Sequence, residues 1–121
     1  MVDKNELIKE IEKTKQDNYL IVVEGKKDKT ALEKIGFHNI FVLNENGKSI
    51  LVRIEEIIKR KEECVILTDF DKKGKKLYNL IKSQFILNGV KMNNRLRNML
   101  LKSHLSHIEG IFTFLNNFYP R

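Results

Sequence analysis

The chain has 121 residues, 41% hydrophobic and 32% charged, with 23 Lys and Arg against 16 Asp and Glu for a net charge of +7. That composition describes one folded domain around one core and excludes a disordered chain. No apolar run approaches the roughly 18–20 residues that span a bilayer. The polar, acidic opening Met1-Val2-Asp3-Lys4-Asn5-Glu6 lacks the basic-then-apolar pattern of a signal peptide. The single cysteine, Cys64, cannot close an internal disulfide and suits a reducing compartment, so a cytoplasmic protein without membrane contact is expected.

A helix is predicted from Asn5 to about Lys15, with Leu7, Ile8 and Ile11 on one face. The first strand is Tyr19–Val23, closed by Glu24-Gly25. A helix from about Lys27 to Ile35 buries Ala31, Leu32 and Ile35, and Gly36 stands at the left-handed capping position. The second strand, Asn39–Leu43, leads into the loop Asn44-Glu45-Asn46-Gly47. Ser49 caps a helix whose Ile50, Leu51, Ile54, Ile57 and Ile58 keep helical spacing to about Lys61. The third strand, Cys64–Thr68, is closed by Asp69-Phe70-Asp71. A helix from Gly74 or Lys75 to Leu87 ends at Asn88-Gly89, and Val90–Met92 is a short fourth strand. Helices follow at 94–102 and about 106–117, where Phe112, Phe114, Phe118 and Tyr119 are read as packing. This alternation predicts a single α/β domain, with an about four-stranded, mainly parallel sheet, helices on both faces and extra C-terminal helices.

The charge is unevenly placed. Residues 1–71 carry 13 basic and 15 acidic side chains, whereas residues 72–121 carry 10 basic side chains and one acid, Glu109. The basic series Lys72, Lys73, Lys75, Lys76, Lys82, Lys91, Arg95, Arg97 and Lys102 begins directly behind Asp71. A one-sided basic surface captures polyanions, and its place beside acidic residues points to a phosphate backbone, RNA or DNA, as partner.

Acidic residues follow the first and third strands, and ligands of open α/β sheets bind at the carboxyl ends of strands. Asp69 and Asp71 are two apart, so if the strand runs on through them both carboxylates project to one side and Phe70 to the other. Such a pair can take two positions of an octahedral ion such as Mg²⁺ and leave the rest to water and substrate oxygens. Neighbouring strands lie about 4.8 Å apart, so Glu24 reaches the same ion if strands one and three are adjacent, as in a 2-1-3 sheet. Gly25 and Gly74 permit a close approach of backbone to phosphate, and the N–H groups opening the helix after Gly74 favour an anion. Lys26, Lys27, Lys72 and Lys73 ring the same rim.

The segments Val22-Val23-Glu24-Gly25-Lys26-Lys27-Asp28-Lys29-Thr30-Ala31-Leu32 and Leu67-Thr68-Asp69-Phe70-Asp71-Lys72-Lys73-Gly74 resemble the two motifs of the Toprim domain. That domain is shared by bacterial primases, topoisomerases, recombination-repair proteins, a nuclease group and the 5S ribosomal RNA maturase. The resemblance covers residues 18–92 as a core, leaving 93–121 as a C-terminal helical extension, and is nearest to the small stand-alone Toprim proteins of prokaryotes. It implies that Glu24 is a general acid or base in phosphodiester or nucleotidyl transfer, and that Asp69 and Asp71 bind Mg²⁺ with Glu24 as a further ligand. One or two ions are implied, with Mn²⁺ able to substitute. Asp28 matches a recurrent acid of the first motif and is read as interacting with the helix dipole.

The chain lacks zinc-ligand cysteines and the strand-breaking domain of a topoisomerase. Phe70 stands where the RNA maturase has proline. The resemblance implies nuclease-like cleavage or a related nucleotidyl or phosphoryl transfer, and an isolated core can require a protein partner to hold its substrate. The alternative is a nucleic-acid-binding accessory protein using the same acids and lysines without cutting. His104 and His107 are three apart, but with no third nitrogen or sulfur ligand nearby they do not make a zinc site.

Overall fold

The computed structural model describes residues 2–117. Phe118 and Tyr119, read from sequence as packing, lie outside them. Three parallel strands, β1 (Leu20–Val23), β2 (Ile40–Val42) and β3 (Cys64–Ile66), form a sheet ordered β2-β1-β3. Ile21 stands opposite both Ile40 and Val65, so β1 is paired on both edges. The helices are α1 (Lys4–Gln16), α2 (Lys26–Lys34), α3 (Ile50–Arg60), α4 (Lys72–Leu87), α5 (Arg95–Lys102) and α6 (Ile111–Asn116), the last entered through a 3₁₀ turn at Ile108–Gly110.

Strands buried on both faces need apolar residues at every position, and β1 has them, with no residue more than 1% exposed. Ile21, Val23, Val42, Val65 and Leu67 face one layer, packing with Leu7 and Ile11 of α1, Leu32 of α2, Leu96 and Leu100 of α5, and Ile108 and Ile111. Leu20, Val22, Phe41, Leu43, Cys64 and Ile66 face the other, against Ile54 and Ile57 of α3 and Ile81 and Phe85 of α4. The C-terminal residues are thus part of the core. Among the described residues no helix is long and apolar enough to cross a membrane.

Local signals set most boundaries. Ser49 Oγ accepts the Val52 N–H at 3.2 Å and opens α3. Gly36, at φ +100°, ends α2, with the Phe37 N–H donating to Leu32 O. Elsewhere the sequence expectation needs correcting. The fourth strand is a single bridge between Met92 and Cys64, because Asn93 turns at once to accept the Arg95 N–H and open α5. Helix α4 starts at Lys72, two residues early, because Asp71 caps it. The segment 106–117 is not one helix, and Phe112 is 42% exposed.

Candidate metal centre

In a parallel sheet ordered β2-β1-β3, the carboxyl ends of β1 and β3 are neighbours, and they bring Glu24 to Asp69. Glu24 Oε2 accepts the Asp69 N–H at 2.9 Å, one step beyond the last ladder bond, Leu67 N–H to Val22 O. The strand does not continue through the aspartates, as the two-residue spacing suggested. It ends at Ile66, and the chain turns with Phe70 buried and its N–H donating to Ser106 O at 2.8 Å.

The turn nevertheless gathers the acids. Asp69 Oδ1 accepts the Ile108 N–H at 2.8 Å, and Asp71 Oδ1 accepts the Gly74 N–H at 2.7 Å. Asp71 Oδ2 lies 3.5 Å from His107 Nε2. One donor atom from each of Asp69, Asp71 and His107 falls within 4.8 Å of the others. Glu24 stands beside this group, tied to the Asp69 backbone. Two ligands of one ion at about 2.1 Å can be at most about 4.2 Å apart. The group therefore fits a divalent ion after small side-chain rotations, and its two carboxylates supply the hard oxygens such an ion takes.

The electrostatics favour a cation. Burial holds the Glu24 carboxyl above the ordinary 4.5 of a glutamate, the Asp69 and Asp28 charges push the same way, and the Asp69 N–H opposes them. Burial likewise raises Asp28 above 3.8, opposed by the Gly25 N–H and reinforced by Asp69 and Glu109. Asp28 Oδ2 accepts that N–H at 3.0 Å in a capping arrangement, the helix-start role its position suggested.

Residues 19–99 match the Toprim domain. The chain belongs to the Toprim family. A UPF0292 protein of Methanocaldococcus jannaschii is 33% identical over 114 residues, covering 92% of this chain and 88% of that protein. A UPF0292 protein of Methanosarcina barkeri is 28% identical over 114 residues, covering 92% and 79%. A solved structure of a protein from Aquifex aeolicus aligns with a TM-score of 0.74 at 29% identity, covering 90% of this chain and 98% of that one. Toprim domains bind divalent metal and act on nucleic acid, and this chain is of that class.

The basic residues of this Toprim domain divide sharply. Lys26 and Lys27 on α2, and Lys72, Lys73, Lys75 and Lys76 on α4, are all exposed in the first turns of helices that begin at the acidic rim. Arg95 is not there. It opens α5 beside Asn93, whose amide meets Tyr19 Oη near the amino ends of the strands, and its Nε lies 3.4 Å from Glu10. Arg97 is not on the surface at all, being 5% exposed. Its guanidinium donates to Ile66 O, Thr68 O and Asp69 O, between the rings of Phe70 and Tyr78. It braces the turn from beneath, so the expected phosphate contact by Arg97 is replaced by a structural one.

The glycines also differ from expectation. A Cβ at Gly74 would lie 2.1 Å from Asp69 O, so the close approach is between α4 and the Asp69 backbone. The Gly25 N–H is taken by Asp28. His107 joins the group although sequence reading paired it with His104. No local spacing links residue 107 to residue 71; the Ser106–Ile108 backbone bonds do.

Proposed function

We propose that this Toprim protein is a Mg²⁺-dependent enzyme that cleaves phosphodiester bonds in RNA or DNA. The observation that carries the reading is Glu24: a carboxyl raised by burial, fixed through Oε2 by the Asp69 N–H, beside the Asp69–Asp71 pair. Asp69 and Asp71 would hold the ion, Mg²⁺ or Mn²⁺. The bound ion supplies charge stabilisation at the reacting phosphate. Glu24, its pKa raised by burial, exchanges a proton at Oε1 with the attacking or leaving oxygen. Lys26, Lys27, Lys72, Lys73, Lys75 and Lys76 hold the flanking phosphates.

The test is incubation of the pure protein with end-labelled RNA and DNA, in Mg²⁺, Mn²⁺ or chelator, beside Glu24→Gln and Asp69→Asn. Cleavage requires metal and falls about 10²-fold or more in each variant. Metal-dependent binding with no cut strand, weakened by Lys72→Ala/Lys73→Ala, overturns the enzyme in favour of an accessory role.

A further inference from the structure

We propose that the C-terminal segment completes the metal centre: His107 is its third protein ligand, and the centre holds Mn²⁺ more tightly than Mg²⁺. The inference rests on the metal-dependent reading above and goes beyond it in naming a ligand outside both acidic motifs.

Backbone geometry carries the proposal first. The two residues flanking His107 are each bonded to the aspartate turn, Ser106 O to the Phe70 N–H and the Ile108 N–H to Asp69 Oδ1, both at 2.8 Å. Ile108 is itself fully buried in the core, so the segment is anchored from beneath as well. His107 between them is extended, at φ −130° and ψ 134°, with Nε2 3.5 Å from Asp71 Oδ2.

The ring presents Nε2, and not Nδ1, to the aspartate. Nδ1 lies 3.0 Å from Ser106 Oγ, and Nε2 is the nitrogen that faces Asp71. In the tautomer whose Nδ1–H donates to the hydroxyl, Nε2 carries the lone pair that a metal would take. A plain ion pair is the competing account, but with side-chain exposures of 51% and 45% such a pair contributes little and gives no reason for the backbone clasp.

The donor set then biases the ion. Mg²⁺ demands near-ideal octahedral oxygen coordination and dehydrates reluctantly, so an imidazole adds little to its binding. First-row transition ions accept imidazole nitrogen readily. Two carboxylates and one imidazole therefore favour Mn²⁺ over Mg²⁺.

The experiment uses the full chain with Mn²⁺ or Mg²⁺ alone, comparing wild type, His107→Ala and His107→Gln, with folding checked by urea unfolding. Calorimetry gives both affinities, and pulsed electron paramagnetic resonance reads nitrogen coupling to bound Mn²⁺. Loss of His107 is expected to weaken Mn²⁺ about tenfold or more and Mg²⁺ less than about threefold, and to abolish the nitrogen coupling. Equal Mn²⁺-to-Mg²⁺ ratios in wild type and both variants, with no nitrogen coupling in wild type, overturn the inference and leave the Asp69–Asp71 reading standing. Failure of wild type to bind either ion overturns both.

Discussion

The ends of β1 and β3 meet at one rim but are built in opposite ways. After β1 the chain is self-sufficient: Gly25 enters α2, and Asp28 reaches back one helical turn to its N–H. After β3 a local cap by Asp71 is joined by contacts from far along the chain. The turn 69–71 is held by Glu24 from β1, by Ser106 and Ile108 from the C-terminal segment and by Arg97 from α5. In the first case the acid caps its own helix, whereas Asp71 both caps α4 and faces His107. The proposed metal centre sits where distant segments converge, since such a turn can be aimed from several sides.

The two glycines offer the largest contrast. A methyl group at Gly74 meets Asp69 O, C and Cα at 2.1–2.9 Å, all backbone, so Gly74→Ala must separate α4 from the turn. At Gly25 the nearest atom is Asp28 Oδ2 at 4.0 Å, and φ −141° is open to any residue. We expect Gly74→Ala to give no stably folded protein, and Gly25→Ala to lose about 1 kcal/mol or less, the usual difference at a helix N-cap. Urea unfolding of both reads the outcome; two similar midpoints would remove the asymmetry.

Arg97 comes next. Burial lowers its pKa to about 10, which leaves it charged at neutral pH. Arg97→Met deprives Ile66 O, Thr68 O and Asp69 O of their donor and is expected to destabilise by about 2–3 kcal/mol. Because this arginine touches no phosphate in the present assignment, the salt dependence of nucleic-acid binding stays as in wild type, while Lys72→Ala/Lys73→Ala flattens it. A stable Arg97→Met with a flattened salt slope would return Arg97 to the binding face.

These contrasts mark what a sequence can disclose. The strand runs and the alternation were legible because β1 and β3 are apolar at every position and each is followed by acid, whereas the 2-1-3 order entered as the condition for Glu24 to reach the aspartates. Ser49 and Gly36 announced their caps by residue type. The adjacency of Glu24 and Asp69 was expected only for that order, and the order is the one found. Illegible were the pairings that cross between distant segments: an arginine in a basic series looks solvated until a buried turn with unpaired carbonyls claims it, and His107 gains meaning only from the bonds of its neighbours. The fourth strand failed for a local reason, since Asn93 takes the Arg95 N–H at the entry to α5 where the run needed another apolar residue.

The smallest predicted effect concerns Glu24 itself, in chelator. Its folded-state pKa is raised above 4.5, so between 4.5 and that higher value the folded protein holds a proton the unfolded chain has released. This contribution makes the fold more stable as pH falls from neutral toward 4.5, opposite in sign to the acid sensitivity of Glu56, whose pKa is lowered by Lys48. Glu24→Gln keeps an oxygen for the Asp69 N–H and carries no charge, so it removes the Glu24 share alone. The melting-temperature difference between Glu24→Gln and wild type should favour the variant at pH 7 and shrink toward pH 4.5. Saturating Mn²⁺ should erase the pH 7 advantage, because a nearby cation stabilises the ionised carboxylate. A difference independent of pH and of metal would mean that Glu24 is neither buried enough nor close enough to the ion to serve the turn after β3.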